Sequence, residues 1–343
     1  ETEGVDRDTL SMPVNQNFLI EEIASIQPNT IVVLHGGSPV TMPWLNKVKA
    51  VLNVHLGGDG VGKATVDLLF GDGNPSGKLA ETYPLKLSDN PSYLNFPGED
   101  GIVEYHEGVF VGYRYYDKKE MDVLFPFGFG LSYTTFDYSD LEVDKKELKD
   151  TESLTVRCKV TNTGKRKGKE VVQLYVKDVE STVRRPIREL KDFAKVELEP
   201  GESKTIEFTL SKGAFAYYEP KVKDWFVESG VFEIEVGASS RDIRLSTDIK
   251  VEGTIEIPFV FSPLSKIGEL VKTEKGHEFL NNMMVQRKKP EKDSGKESDI
   301  SKLGEGSEEV AQAMMMEMPL SSLVTFGKIT EERLNELIET LNN

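Results

Sequence analysis

Apolar positions change their spacing twice along the chain, and the two changes divide it into three stretches. In the first, residues 1–137, strands and helices alternate. Phe18, Leu19, Ile23 and Ile26 fall at helical spacing, and Ile31-Val32-Val33-Leu34 is a short apolar run of the kind that forms a parallel strand covered on both faces. Gly36-Gly37-Ser38-Pro39 ends that strand. Ala50 to Leu56 is a second run, and Gly57-Gly58-Asp59-Gly60-Val61-Gly62 leads into a helix through Phe70. The layer pattern is α/β.

Residues 138–253 switch to period two. Leu154/Val156/Cys158/Val160, Val172/Leu174/Val176, Ile206/Phe208/Leu210 and Phe232/Ile234/Val236 each alternate with polar residues, and Asn162-Thr163-Gly164, Pro200-Gly201 and Ser229-Gly230 supply turns. About seven strands in such a length predict an all-β sandwich. From residue 254 helical spacing returns: a stretch from Leu264 to Met284, a charged linker over 286–307, and two further helices. Thr330 can cap the last, whose Leu334, Leu337, Ile338 and Leu341 form one stripe. Met314, Met315, Met316 and Met318 read as adaptable packing.

Between the first two stretches lies a segment dense in rings and glycines, Glu107 to Phe136. Val109, Val111, Tyr113 and Tyr115 alternate with Phe110, Arg114 and Tyr116, which predicts a strand covered on both sides. Arg114 is expected to stack on a ring while forking onto Asp117 or Glu107. From Phe125 to Tyr133, rings alternating with glycines suit a chain that turns sharply to join one packed body to the next.

Composition narrows the function. A net charge of -16 over 343 residues disfavours nucleic acid and acidic membranes as partners. Arg287-Lys288-Lys289, inside the linker, reads as a solvated connector. The single cysteine, Cys158, lies on the apolar face of a strand and reads as a core residue. No run of eighteen apolar residues and no signal-peptide pattern is present, which points to the cytoplasm. The chain opens on Glu1 rather than Met, so its true start is expected upstream. His35, His55, His106 and His277 lack metal-ligand spacing, and no cofactor is expected. The glycines at 57–62 match neither dinucleotide nor P-loop spacing, and are read as allowing a helix to approach the sheet closely.

Several ordered motifs resemble the family 3 glycoside hydrolases, the β-glucosidases in particular. They are Asp67-Leu68-Leu69-Phe70-Gly71-Asp72, Asn74-Pro75-Ser76-Gly77-Lys78-Leu79, Tyr93 to Glu99, Glu107-Gly108, Gly112-Tyr113-Arg114-Tyr115-Tyr116-Asp117 and Phe127 to Thr134. The runs Gly168 to Tyr175 and Gly237 to Arg244 resemble the fibronectin type III-like domain of the same family. The chain departs from it at Gly57-Gly58-Asp59-Gly60, where members often have Pro-Gly-Gln-Glu. The resemblance implies the C-terminal part of an α/β sandwich catalytic domain over 1–137, the fibronectin-like sandwich over 138–253 and a helical extension over 254–343.

It also implies a role for Glu3. The segment Glu3-Gly4-Val5-Asp6-Arg7 is similar to the family's Glu-Gly-x-Asp-Arg, whose glutamate is the general acid/base. The expected activity is hydrolysis of a terminal β-linked glucose, or a related sugar, with retention. A retaining glycosidase needs a second carboxylate as nucleophile about 5 Å away. In the family that aspartate lies in a Ser-Asp-Trp-type segment of an N-terminal TIM barrel, and neither Trp44 nor Trp225 follows Ser-Asp here. The expected partners are therefore the β-glucoside or oligosaccharide substrate and a barrel-bearing half of the same enzyme, with this chain inactive alone and self-association left open. Glu107 and Arg114 are read as structural. The competing reading is a non-catalytic module for stability, dimerisation or carbohydrate binding; only Tyr217, Tyr218, Trp225 and Phe226 offer rings for the last, and these are read in preference as core or interdomain packing.

Overall fold

The computed structural model describes residues 4–257, 259–287 and 306–342. They fall into two compact units, 1–256 and 257–343. In the first, helix α1 (Val14–Ile26) leads to strand β1 (Ile31–Leu34), which pairs in parallel with β2 (Ala50–Asn53) from Ile31 opposite Ala50 to Leu34 opposite Asn53. Helix α2 (Val61–Phe70) follows, opened by a 3-10 turn over Gly58–Gly60. Strand β3 (Tyr83–Pro84), helix α3 (Tyr113–Lys118) and strand β4 (Val123–Phe125) complete this part, β3 and β4 pairing antiparallel. Val32, Met42, Trp44 and Tyr83 form its core, and the Trp44 indole donates to Asn17 Oδ1 at 2.8 Å to pin α1.

The parallel pair and α1 fall where the apolar spacing puts them, but the strands are not covered on both faces. Ile31 is exposed, β2 is at most half-buried, and Phe18, Leu19, Ile23 and Ile26 of α1 face solvent. A two-stranded parallel sheet with one open side is unusual, because parallel sheets are ordinarily covered by helices on both faces.

The segment expected as a strand through Tyr116 is not one. Gly112 adopts φ +59°, in the left-handed region, and turns the chain into α3. On that helix Tyr116 and Asp117 are buried, while Val109 and Val111 before it are exposed. Arg114 sits over the Tyr113 ring at 5.9 Å, as the run of rings suggests, but its ion pair is to Glu189 at 3.3 Å. Asp117 is taken by Arg241 at 2.7 Å.

The sandwich comprises β5 (Phe136–Val143), β6 (Glu147–Lys149), β7 (Leu154–Asn162), β8 (Gly168–Asp178), β9 (Glu189–Leu198), β10 (Ser203–Leu210), β11 (Tyr217–Glu219), β12 (Asp224–Phe226), β13 (Gly230–Ser239) and β14 (Asp242–Glu252). One sheet has the order β10-β7-β5 and the other β6-β14-β13-β8-β9, while β11 and β12 form a separate hairpin. The alternating residues read from the sequence meet between the sheets: Leu154, Val156, Cys158, Val160, Val172, Leu174, Phe232, Ile234 and Val236 are fully buried there. Burial pushes the Cys158 thiol up to about 11, so it remains a protonated core group.

The outer face of the larger sheet is not free. Tyr113 stacks on Phe127 at 4.6 Å and meets the edge of Tyr175, and the Leu190 amide donates to the Tyr113 hydroxyl at 2.8 Å. Gln173 donates to the carbonyls of Gly128 and Ala238, and the Ser240 amide to that of Phe127. At Gly128, with φ +80°, a Cβ would stand 2.1 Å from the Gln173 side-chain oxygen. Asn74 accepts from the Tyr133 amide and the Ser132 hydroxyl and donates to the Lys167 carbonyl. Lys78 reaches Gly130 O at 2.9 Å and the Glu170 carboxylate at 3.3 Å. The ordered motifs at 74–79 and 112–134 are thus largely a seam that joins the two parts.

In the second unit a 3-10 segment (Ile267–Lys272) and helix α4 (Glu274–Arg287) replace the single helix expected from Leu264, because Thr273 is extended between them. Helices α5 (Gly306–Glu317), α6 (Ser322–Thr325) and α7 (Glu331–Asn342) follow. Phe261, Ile267, Leu270, Leu280, Leu320, Leu323, Leu334 and Leu341 form the core, with Met315, Met316 and Met318 against it. Thr330 caps α7 by accepting from the Arg333 amide at 3.2 Å. Most of the linker expected over 286–307 lies outside the described residues.

Candidate functional site

Glu3, the candidate acid/base, lies outside the described residues, but the rest of its motif is placed. Arg7 donates from Nη2 to the carbonyl of Pro39 at 2.9 Å, which fastens the Gly4 to Arg7 segment to the loop that follows β1. That loop, His35 to Pro39, and the segment after β2, Val54 to Gly60, leave the sheet side by side, with the Val54 amide donating to Leu34 O at 3.0 Å. Both therefore emerge at the carboxyl ends of parallel strands, where open α/β sheets gather their ligands.

At this edge His55 holds φ +51°, a left-handed conformation uncommon for a residue with a Cβ. Local contacts support it. Its amide faces Asn53 Oδ1 at 3.4 Å, and the Asn53 amide group lies 3.3 Å from the His55 Nε2 and donates to the Tyr83 hydroxyl at 2.8 Å. Glu81, two residues before the buried Tyr83, completes the cluster. Partial burial pushes its carboxyl pKa up, and the neighbouring His55 and Arg7 draw it part of the way back.

Behind Glu81 stands α3. Tyr116 is buried, and its phenol is pushed up to about 12, first by burial and then by the neighbouring Asp89, Tyr115 and Glu81. It therefore stays a neutral hydrogen-bond donor at physiological pH. Glu81 is thus within electrostatic reach of Arg7 and His55 on one side and of Tyr116 on the other, and Asp89 within reach of Tyr116. Side chains of these kinds can donate to and accept from hydroxyl groups. His55, Glu81 and Tyr116 lie too far apart in sequence for any motif to join them. The available signal was the position of His55 just past the second parallel strand.

The other sequence candidates lie elsewhere. Glu107 keeps one carboxylate oxygen buried without a hydrogen-bond partner, and no ion pair to Arg114 is found among the described residues. A cleft of about 550 Å³ opens between Gly71 to Ser76 and Arg166 to Lys169. It lies at the seam, with Lys167 paired to Glu197 and Glu199 and Arg166 donating to Gly71 O. Among the described residues no group of three or more His, Cys, Asp or Glu could hold a metal ion, and no helix is long and apolar enough to cross a membrane.

Residues 1–133 match the glycosyl hydrolase family 3 C-terminal domain, and residues 170–240 match the fibronectin type III-like domain. The chain is 52% identical to thermostable beta-glucosidase B of Acetivibrio thermocellus over 346 aligned positions, which cover 100% of this chain and 44% of that protein. It is 48% identical to an exo-alpha-(1->6)-L-arabinopyranosidase of Bifidobacterium breve, covering 74% of this chain and 33% of the relative. Among solved structures, the family 3 beta-glucosidase of Bifidobacterium adolescentis superposes with a TM-score of 0.74 at 42% identity, over 81% of this chain and 41% of that one. The chain spans less than half the length of each of these relatives.

Proposed function

The chain belongs to the family 3 glycoside hydrolases, and from that premise we propose that it supplies the acid/base half of a retaining β-glucosidase. In this reading Glu3 protonates the departing glycosidic oxygen and then, as a carboxylate, activates the water that releases the sugar. The nucleophile comes from a barrel-bearing half of the same enzyme. The observation that carries the reading is the Arg7 to Pro39 tether. It ties the motif that starts at Glu3 to the carboxyl ends of the parallel strands, beside His55 and Glu81.

Two further features support it. The solvent-facing apolar residues of α1 and the open side of β1 and β2 offer a seat for the preceding half of the enzyme. Relatives longer than twice this chain have the residues to fill it. The terminal sugar is glucose or a related sugar, since the relatives include proteins named for glucosides and others named for arabinopyranosides.

In the full-length enzyme Glu3→Ala should slow substrates with poor leaving groups by about 10²- to 10⁴-fold, while activated aryl glycosides still glycosylate the enzyme. Azide should then restore turnover by attacking without base assistance. If Glu3→Ala slows all substrates alike and azide has no effect, Glu3 is not the acid/base. Rescue of Glu107→Ala instead would move the role to Glu107.

A further inference from the structure

Of the two tryptophans, one is sealed and one is not. Trp44 is 0% exposed in the α/β core, whereas Trp225 on the β11–β12 hairpin is 54% exposed. Directly across the hairpin stands Tyr218, also 54% exposed, with ring centroids 6.2 Å apart and planes at 83°. The inner face of the same hairpin is anchored. Tyr217 and Phe226 pack edge to face at 5.6 Å, and buried Arg185 lies under Tyr217 while pairing with Asp178 at 3.0 Å. The turn is closed by the Lys223 amide on Glu219 O, and by the Lys221 amide on the side chain of the buried Glu219, both at 2.9 Å. The two outer rings are therefore held in place by residues that have nothing to do with their exposure.

Alternation would have placed any residue type at 218 and 225, and polar ones would have cost no hydration. From this pair of anchored, open rings we propose that the outer face of the β11–β12 hairpin binds a β-linked glucan chain, one sugar stacking on Trp225 with its edge against Tyr218. The area decides between a glycan and a protein partner. Half-exposed rings of this kind offer roughly 250 Å² together, against about 800 Å² per partner for a stable protein interface. That is the scale of one or two sugar faces. β-Linked glucose carries its ring hydrogens axially and so has an apolar face to lay on an aromatic one, and Lys221 and Lys223 stand exposed in the turn that joins the two strands. A neutral polymer is also indifferent to the chain's net charge of -16. Because the rings are fixed beforehand, little side-chain freedom is lost on binding.

The choice of a β-linked glucan rests on the activity proposed above, but the binding itself does not need turnover. Native gel electrophoresis of the 343-residue chain through a soluble β-glucan tests it, with tryptophan emission as a second readout, since only Trp225 is open to the ligand. Retardation by the glucan and a blue shift of the emission are expected. Trp225→Ala or Tyr218→Ala should each weaken binding about tenfold or more. Phe193→Ala, at another exposed ring, should leave it unchanged. Absence of retardation, or retardation that survives both ring substitutions, overturns the proposal. So does a parent chain that dimerises through these rings without binding glucan. Glu3→Ala should bind as the parent does, so failure of the acid/base assignment and failure of the glucan site give different results.

Discussion

Lys78→Met should unfold the seam at a temperature well below that of the parent. Lys78 and Glu170 retain only 12% and 6% of their side-chain exposure, and they meet at 3.3 Å. Glu170 also accepts from the Tyr138 hydroxyl at 2.9 Å, and Lys78 donates to Gly130 O. Methionine keeps the aliphatic stem of lysine but leaves the Glu170 carboxylate buried with a single neutral donor. Breaking one side of such a pair costs about 3–5 kcal/mol. At about 2–4 °C per kcal/mol for a body of this size, the midpoint should fall by roughly 6–20 °C. Adding Glu170→Gln removes the stranded charge and keeps an acceptor for Tyr138, so the double variant should regain several degrees over Lys78→Met alone. Thermal melts of the full chain followed by near-ultraviolet circular dichroism measure both. A Lys78→Met midpoint within about 2 °C of the parent would refute the argument, as would a double variant no better than the single one.

Three further outcomes are expected. Burial opposes the charge on Glu189, but Lys191, Arg114 and Arg185 around it hold its pKa below the ordinary value. Its stabilising share is therefore full above the unfolded pKa of about 4.3 and is lost as pH falls through the lower folded value. The parent should melt above Glu189→Gln at pH 6 and converge with it towards pH 3; a gap independent of pH over that range would contradict this. Gly128→Ala should be destabilised by more than about 1 kcal/mol, measured by urea unfolding, because the left-handed backbone and the contact with Gln173 both resist a methyl group. Cys158 should resist iodoacetamide at pH 8 in the folded chain and react once urea unfolds it, as followed by mass spectrometry.

The sandwich was legible because strands such as β7 bury chiefly one face, so Leu154 to Val160 alternate in sequence as they alternate in space. The parallel pair was legible as two apolar runs, although nothing in Ile31 or Phe18 told that their outer sides would stand open. The helix at Tyr113 was not legible. Tyrosine and arginine carry both apolar and polar atoms, so they give no clean period, and the decisive event is the positive φ of Gly112. Nor could the partners of Arg114 and Asp117 be read. Glu189 lies on β9 and Arg241 in the turn between β13 and β14, which only the folded sheet brings near, whereas local sequence offered Glu107 and Asp117 as nearer alternatives. The strand-end cluster failed for the same reason: Arg7, His55 and Glu81 share no spacing, only an edge.

The seam also bears on how these domains can be recombined. Gln173, Glu170, Arg241 and the Leu190 amide are sandwich groups whose partners, Gly128, Lys78, Asp117 and Tyr113, belong to the preceding part. Tyr116, whose phenol feels the charge of Glu81, precedes that same Asp117 on α3. A chimera that imports a foreign sandwich would therefore be judged first at these few docking positions, and overall sequence likeness would matter less. A swap that mismatched Arg241 alone would leave the buried Asp117 without its cation, on the helix that also carries Tyr116.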